Sequence, residues 1–180
     1  MESLCDRPAA EAPGSADGGF ASQFSLPEGG PIAGCAHAEF APVGLRIAAE
    51  AELWIGTPFV WQGRIRQVGC DCKGLVAGVF AALGLPEAVS VEALAGDYGE
   101  HQAVPVARLR SGLANLFEQV WTPAAGDIVL LVHAGLAQHL GIALDRRSMV
   151  HAMSSGPGQV VRATIGGGRL DSVWRVKPDG

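Results

Sequence analysis

The sequence is poor in charge, in cysteine and in long apolar runs, and each shortage closes off a class of protein. Asp, Glu, Lys and Arg make up only 17% of its 180 residues, and the net charge is -5. Nucleic-acid binding draws its affinity from Lys and Arg neutralising phosphates, so a lightly charged, acidic chain argues against that role. The four cysteines, Cys5, Cys35, Cys70 and Cys72, are too few to staple a chain of this length. Cys70 and Cys72 stand one residue apart, too close for an easy mutual disulfide. Free thiols imply folding in a reducing cytoplasm. No apolar run approaches the roughly 18 residues of a membrane span, so none is expected. The opening residues, MESLCDRPAAEAPG, carry acids and prolines where a Sec signal peptide has a basic region and an apolar stretch, so no such signal is expected either.

Glycine, by contrast, is plentiful: 25 residues, gathered near the N-terminus and in short punctuating turns. Residues 1–42 are rich in Ala, Gly, Pro and Ser without a sustained period and read as a flexible or disordered tail, because little apolar surface recurs to offset chain entropy. One domain is expected over 43–180. Within it, Leu45, Ala48, Ala49, Leu53 and Trp54 recur at helical spacing over 43–55, and Gly56-Thr57-Pro58 stops the run. Residues 59–71 read as irregular. Leu75, Val76, Val79, Phe80 and Leu83 form one stripe of a helix over 72–83, ended by Gly84 and Pro86. A third helix is expected over 107–121 through Leu109, Leu113, Leu116, Phe117 and Val120. Beyond Pro123 the pattern turns to strands: 128–132, 139–144, 149–153, 160–165 and 172–176. Helices followed by a strand meander, with no βαβ alternation and no repeat, give an α+β class.

Cys72 falls where loop becomes helix. Unpaired backbone N–H groups and the helix dipole favour a thiolate there, so a lowered pKa is expected, and the same N–H groups can hold an oxyanion. Gly74 is read as leaving room for a substrate backbone. The competing reading is a small buried hydrophobe, as most cysteines are. Among five histidines, His37 and His101 read as solvated and His133 as a turn residue. His139 opens an apolar strand and His151 interrupts the next, so an antiparallel pairing makes their imidazoles neighbours. That fits a base oriented by a third group; two structural histidines are the alternative. Asp71 either caps the helix or binds a substrate amine. Asp127 turns the chain into the first strand, and Trp61 lines a cleft or packs in the core.

In order, these motifs are a helix, G-T-P-F-x-W-x-G, D-C-x-G-L-V, G-D-I-V, H-x-G-I and V-H-A. The set resembles the NlpC-type cell-wall cysteine peptidases, the NlpC/p-sixty superfamily, and within it the branch found in phage tails and gene transfer agents. The resemblance covers about residues 45–176. It implies a papain-like fold with N-terminal helices packed on an antiparallel sheet, and hydrolysis of peptidoglycan stem peptides, often after D-γ-glutamate. It also implies Cys72 as nucleophile, His139 as general base and His151 as the orienting residue, with no cofactor and no metal. Phe59 stands where the family usually has Tyr, whose hydroxyl helps hold the substrate's free amine, which implies altered substrate binding or a different hydroxyl in that job; Trp61 and Asp71 are the other substrate-binding candidates. Lys73 stands where Ser is common, and its ammonium further favours a thiolate. The implied partners are stem peptides and phage-like tail proteins. The implied location is cytoplasmic at synthesis, with action in the periplasm or wall of a target cell after carriage on a particle.

Three other readings compete. Cys70, Cys72, His139 and His151 are the residue types of a Cys₂His₂ zinc site, but the usual ligand spacings are missing. A degenerate domain would bind peptidoglycan or tail proteins without cleaving. A thiol amidase or acyltransferase would share the chemistry up to the acyl-enzyme.

Overall fold

The computed structural model describes residues 41–88, 90–91, 106–133, 136–166 and 169–177. The segment read as a tail lies outside these residues but for its last two, as do His37 and His101. Helix α1 (Val43–Glu52) buries Ile47, Ala48 and Ala51 and then unwinds through a turn to Gly56 at φ 89°, so it is three residues shorter than the periodicity suggests. The stretch expected to be irregular contains a two-rung hairpin, β1 (Arg64–Ile65) against β2 (Gly69–Cys70). Helix α2 (Cys72–Ala82) buries Leu75, Val76, Val79 and Phe80, the stripe expected, and Gly84 follows it at φ 66°.

The third helix departs from expectation. Helix α3 (Val106–Leu116) stops five residues early, and strand β3 (Phe117–Val120) takes its place. Phe117 and Val120 satisfy helical spacing, but as β-formers they also suit a strand, and they pair with Val176 and Val173 across the sheet. The other strands are β4 (Ile128–His133), β5 (Leu136–Ala143), β6 (Ser148–Ala152), β7 (Val160–Thr164) and β8 (Arg169–Val176). They form one antiparallel six-stranded sheet in the order β3-β8-β4-β5-β6-β7.

Alternation along the strands divides the sheet's two faces. Ile128, Leu130, Leu140, Ile142 and Val150 join the main core with α1 and α2, while Val129, Leu131, Ala143 and Met149 form a smaller cluster. Each large side chain fully buried in this way contributes roughly 1.5–3 kcal/mol. In the core the Phe80 and Phe117 rings meet edge to face, 5.8 Å apart. Two irregularities fall beside His139 and His151. The β4–β5 register shifts between Leu131, opposite His139, and Val132, opposite Ala137. Strands β5 and β6 pair only at Ile142–Val150 and Ala143–Met149. No helix of the described residues is long and apolar enough to cross a membrane.

Candidate active site

The start of α2 is clasped to the loop before it. The Asp71 carboxylate is the N-cap: Oδ1 accepts the Gly74 N–H at 2.7 Å, and Oδ2 accepts the Gln62 N–H at 2.9 Å. Gln62 sits at φ 57°, a left-handed conformation that this clasp helps to hold. Asp71 is 2% exposed, so the capping alternative is the one realised. The loop is tied further by the Cys70 N–H to the Pro58 oxygen, the Val60 N–H to the Cys70 oxygen and the Phe59 N–H to the Gly158 oxygen. Gly74 has a different reason from the one expected: a Cβ there would lie 1.8 Å from the Gly63 carbonyl oxygen, so it makes room for the chain's own backbone and not for a substrate.

Cys72 is half-buried at the first position of α2, and its thiol does not behave as its helix position suggests. Burial, then the nearby Asp71 charge, push its pKa up to about 11, against the N–H groups of Leu140 and Lys73 and the Lys73 charge, which act to lower it. The helix-terminus argument counts the donors but leaves out desolvation and the carboxylate that caps the same helix. Cys70, fully buried and also beside Asp71, is pushed up to about 12. The resting Cys72 is therefore a neutral thiol that needs a base.

The Leu140 donor follows from the strand geometry. Hydrogen-bonded pairs alternate along an antiparallel ladder, and Leu144 already donates to Ser148 across the β5–β6 turn. Leu140 therefore turns its N–H toward the β6 side. The ladder has ended at Ile142, and this N–H acts to lower the Cys72 pKa.

His139 is the residue before Leu140. It lies inside β5 at the register shift, not at the strand's first position as expected, because β5 begins three residues earlier. His139 Nε2 is in contact with His151 Nδ1, and the rings stand nearly perpendicular with centroids 4.6 Å apart. Continuing the Ile142–Val150 register sets Gly141 opposite His151, so the two imidazoles meet on the diagonal. Gly141 makes this possible, since a Cβ there would come within 2.8 Å of Met149 Sδ and 3.5 Å of His151 Cβ. Burial, then the neighbouring His151, push the His139 pKa down to about 4, and burial lowers His151 also. Both rings are neutral near pH 7, so a single proton sits between Nε2 and Nδ1. With Nε2 engaged, Nδ1 is the His139 nitrogen left to take a proton. His151 Nε2 is buried and has no hydrogen-bond partner among the described residues.

The remaining expected site residues lie on the loop before α2, in its first turn and before β4. Phe59 packs half-buried against the core, and Trp61, 37% exposed, lies beside it with ring centroids 6.3 Å apart, so Trp61 is a surface aromatic and Trp54 the core one. Lys73 is only 6% exposed, and burial lowers its pKa. Asp127 makes the turn expected of it, accepting the Ala124 N–H, and in addition forms a bidentate pair with Arg175 of β8 at 2.7 and 2.8 Å. That pair and the Leu140 N–H were not anticipated. The Gly-Asp dipeptide before a strand hints at the first; no side-chain pattern announces the second. Among the described residues no three His, Cys, Asp or Glu side chains converge as a metal would require.

The sequence model of the NlpC/P60 family matches residues 56–169. The NlpC/p60 domain of the peptidoglycan hydrolase SagA is 26% identical, over 74% of this chain and 98% of that one, with a TM-score of 0.49. NlpC1 from Trichomonas vaginalis is 18% identical over 76% of this chain and 45% of its own, with a TM-score of 0.53. The peptidoglycan hydrolase RipB from Mycobacterium tuberculosis is 19% identical over 85% of this chain and 75% of its own, with a TM-score of 0.51. The last two likenesses are likenesses of fold. No curated protein matches the chain.

Proposed function

This chain belongs to the NlpC/P60 family, and from that premise we propose that it is a cysteine peptidase that hydrolyses peptide bonds in the stem peptides of peptidoglycan. The observation that carries the reading is the contact of His139 Nε2 with His151 Nδ1, together with Cys72 at the first position of α2, where the backbone of Leu140, the residue after His139, acts on its thiol.

In this reading His139 Nδ1 takes the proton from Cys72 as the sulfur attacks the scissile carbonyl carbon. The N–H groups at the start of α2 hold the oxyanion. His139 then carries protons on both nitrogens, and Nε2–H donates to His151 Nδ1, which fixes the ring and spreads its charge. His139 returns the proton to the leaving nitrogen, the C–N bond breaks, and water releases the acyl group from sulfur. Because free Cys72 and His139 are both neutral, the thiolate forms only as substrate is attacked. Phe59 and Trp61 pack side by side on the loop before α2 as an aromatic surface for substrate, and the buried Asp71 and Lys73 charges act on the thiol.

The bond proposed is the D-γ-glutamyl–diaminopimelate link. The motif resemblance also supports a protein made in the cytoplasm and carried on a phage-like tail to the wall of a target cell. Digestion of purified sacculi followed by mass spectrometry of the muropeptides tests the activity. New D-γ-glutamyl carboxyl and diaminopimelate amino termini are expected; unchanged stems, or cuts confined to the glycan, would overturn the reading.

A further inference from the structure

Nine large apolar side chains stand exposed among the described residues, and six of them fall between Leu53 and Val68, so they are gathered and not scattered: Leu53, Ile55, Val60, Trp61, Ile65 and Val68. Ile65 pairs with Gly69 across the β1–β2 hairpin, and residues paired in this way face the same side. A Cβ on Gly69 would lie 2.3 Å from a Val60 methyl group, so Val60 covers that side with Ile65. The hairpin turns over at 65–68, where the Val68 N–H donates to the Ile65 oxygen at 3.1 Å. This tip is pinned to the end of α1 and the turn after it. The Gln67 N–H donates to the hydroxyl oxygen of the buried Thr57 at 3.1 Å, and Arg66 reaches Glu50.

The charge on this stretch has one sign. From Leu53 to Cys70 there is no Asp or Glu, only Arg64 and Arg66, in a chain whose net charge is -5. Arg66 pairs with Glu50, but the arginine is the outer partner, 43% exposed against 15%. Exposed aliphatic side chains flanked by arginines match a surface that is anionic outside and apolar beneath. An anionic lipid bilayer has that order. A glycan strand offers no apolar interior to branched aliphatic side chains. A second copy of this chain would set the same arginines against one another. The acidity of the rest of the chain favours the approach that leads with Arg64 and Arg66.

We propose that the hairpin tip at 65–68, with Val60 and the turn at 53–55, is a docking surface for an anionic lipid bilayer. The inference goes beyond the peptidase reading and stands without it. The attachment is weak and reversible, because a few side chains bury less apolar surface than an acyl anchor does. Asp71 clasps Gln62 of the same loop to the start of α2, so docking brings the Cys72 end of that helix close to the bilayer.

Co-sedimentation of the full chain with phosphatidylcholine vesicles, with and without phosphatidylglycerol, tests it. Binding is expected to the vesicles that contain phosphatidylglycerol and should weaken as salt is raised. The double variant Ile65→Ser/Val68→Ser strips both flanks of the tip and should lower the partition coefficient by about tenfold or more. Arg66→Gln should lower it by about fivefold. All three residues are exposed, so both variants should fold, with matched circular dichroism as the check. No binding to phosphatidylglycerol vesicles, equal binding to both kinds of vesicle, or binding unmoved in the folded double variant would overturn the proposal. So would a double variant that keeps its vesicle binding but loses self-association in the ultracentrifuge or binding to purified sacculi, which would assign the patch to a second copy or to a wall polymer.

Discussion

Asp71→Asn separates two jobs of one side chain. The carboxylate caps α2 through Oδ1 and clasps the preceding loop through Oδ2, and its charge is the second cause, after burial, of the high Cys72 pKa. Asparagine is as good an N-cap as aspartate, so the bond to Gly74 survives. Its amide nitrogen then faces the Gln62 N–H, and leaving this part-buried bond unmade costs about 1–3 kcal/mol. For a chain of this size that lowers Tm by roughly 2–12 °C. The electrostatic effect runs the other way for reactivity. At an effective dielectric near 20 a unit charge is worth on the order of 2 kcal/mol at about 8 Å, between about one and two pKa units. The thiolate fraction near pH 8 rises accordingly, but a less basic thiolate is intrinsically slower, with a Brønsted slope of about 0.5. The net gain in alkylation of Cys72 is then about three- to tenfold. Iodoacetamide labelling measured peptide by peptide, with Cys5 and Cys35 as internal references, reads this directly. A folded Asp71→Asn protein that labels at the unaltered rate, or more slowly, would refute the claim that the cap's charge holds the thiol neutral.

Further outcomes rest on the same geometry. Gly74→Ala forces a Cβ onto the Gly63 carbonyl, a backbone atom that cannot swing aside, and should destabilise by on the order of 3 kcal/mol or more, read as loss of soluble protein or a collapsed Tm. The pH dependence of stability follows from His139: between its unfolded value near 6.5 and its folded value near 4 the unfolded chain binds more protons. Stability should therefore fall as pH drops from 6.5 toward 4, by on the order of 3 kcal/mol, and His139→Asn should flatten that slope in urea titrations. Arg175→Ala leaves the 2%-exposed Asp127 without its bidentate partner. Because the arginine is 44% exposed and screened, the loss should be about 1 kcal/mol by thermal denaturation.

Much of this fold is legible in the sequence because burial imposes a period. The α2 stripe and the runs in β4 to β8 announce themselves that way, and so the α+β class is readable. The hairpin at 64–70 is not, since two-residue strands have no period to detect. The α3–β3 boundary escapes because Phe117 and Val120 fit a helix and a strand equally, and pairing with β8 decides between them. At the site, Cys72, His139 and His151 are visible as residue types at ordered motifs. What the sequence cannot carry is the Leu140 N–H, a backbone atom aimed by the end of a ladder, and the direction of the thiol's pKa. The latter depends on summing burial, a cap's charge and two donors.

The central claim is that Cys72 is the nucleophile, and one measurement bears on it most directly. Muropeptide release from purified sacculi is compared for the unaltered chain and Cys72→Ser, with matched circular dichroism and Tm to show that both are folded. The account predicts that Cys72→Ser releases nothing above the enzyme-free background, because the hydroxyl is far harder to deprotonate at that site. Release by folded Cys72→Ser at a rate near that of the unaltered chain would contradict it.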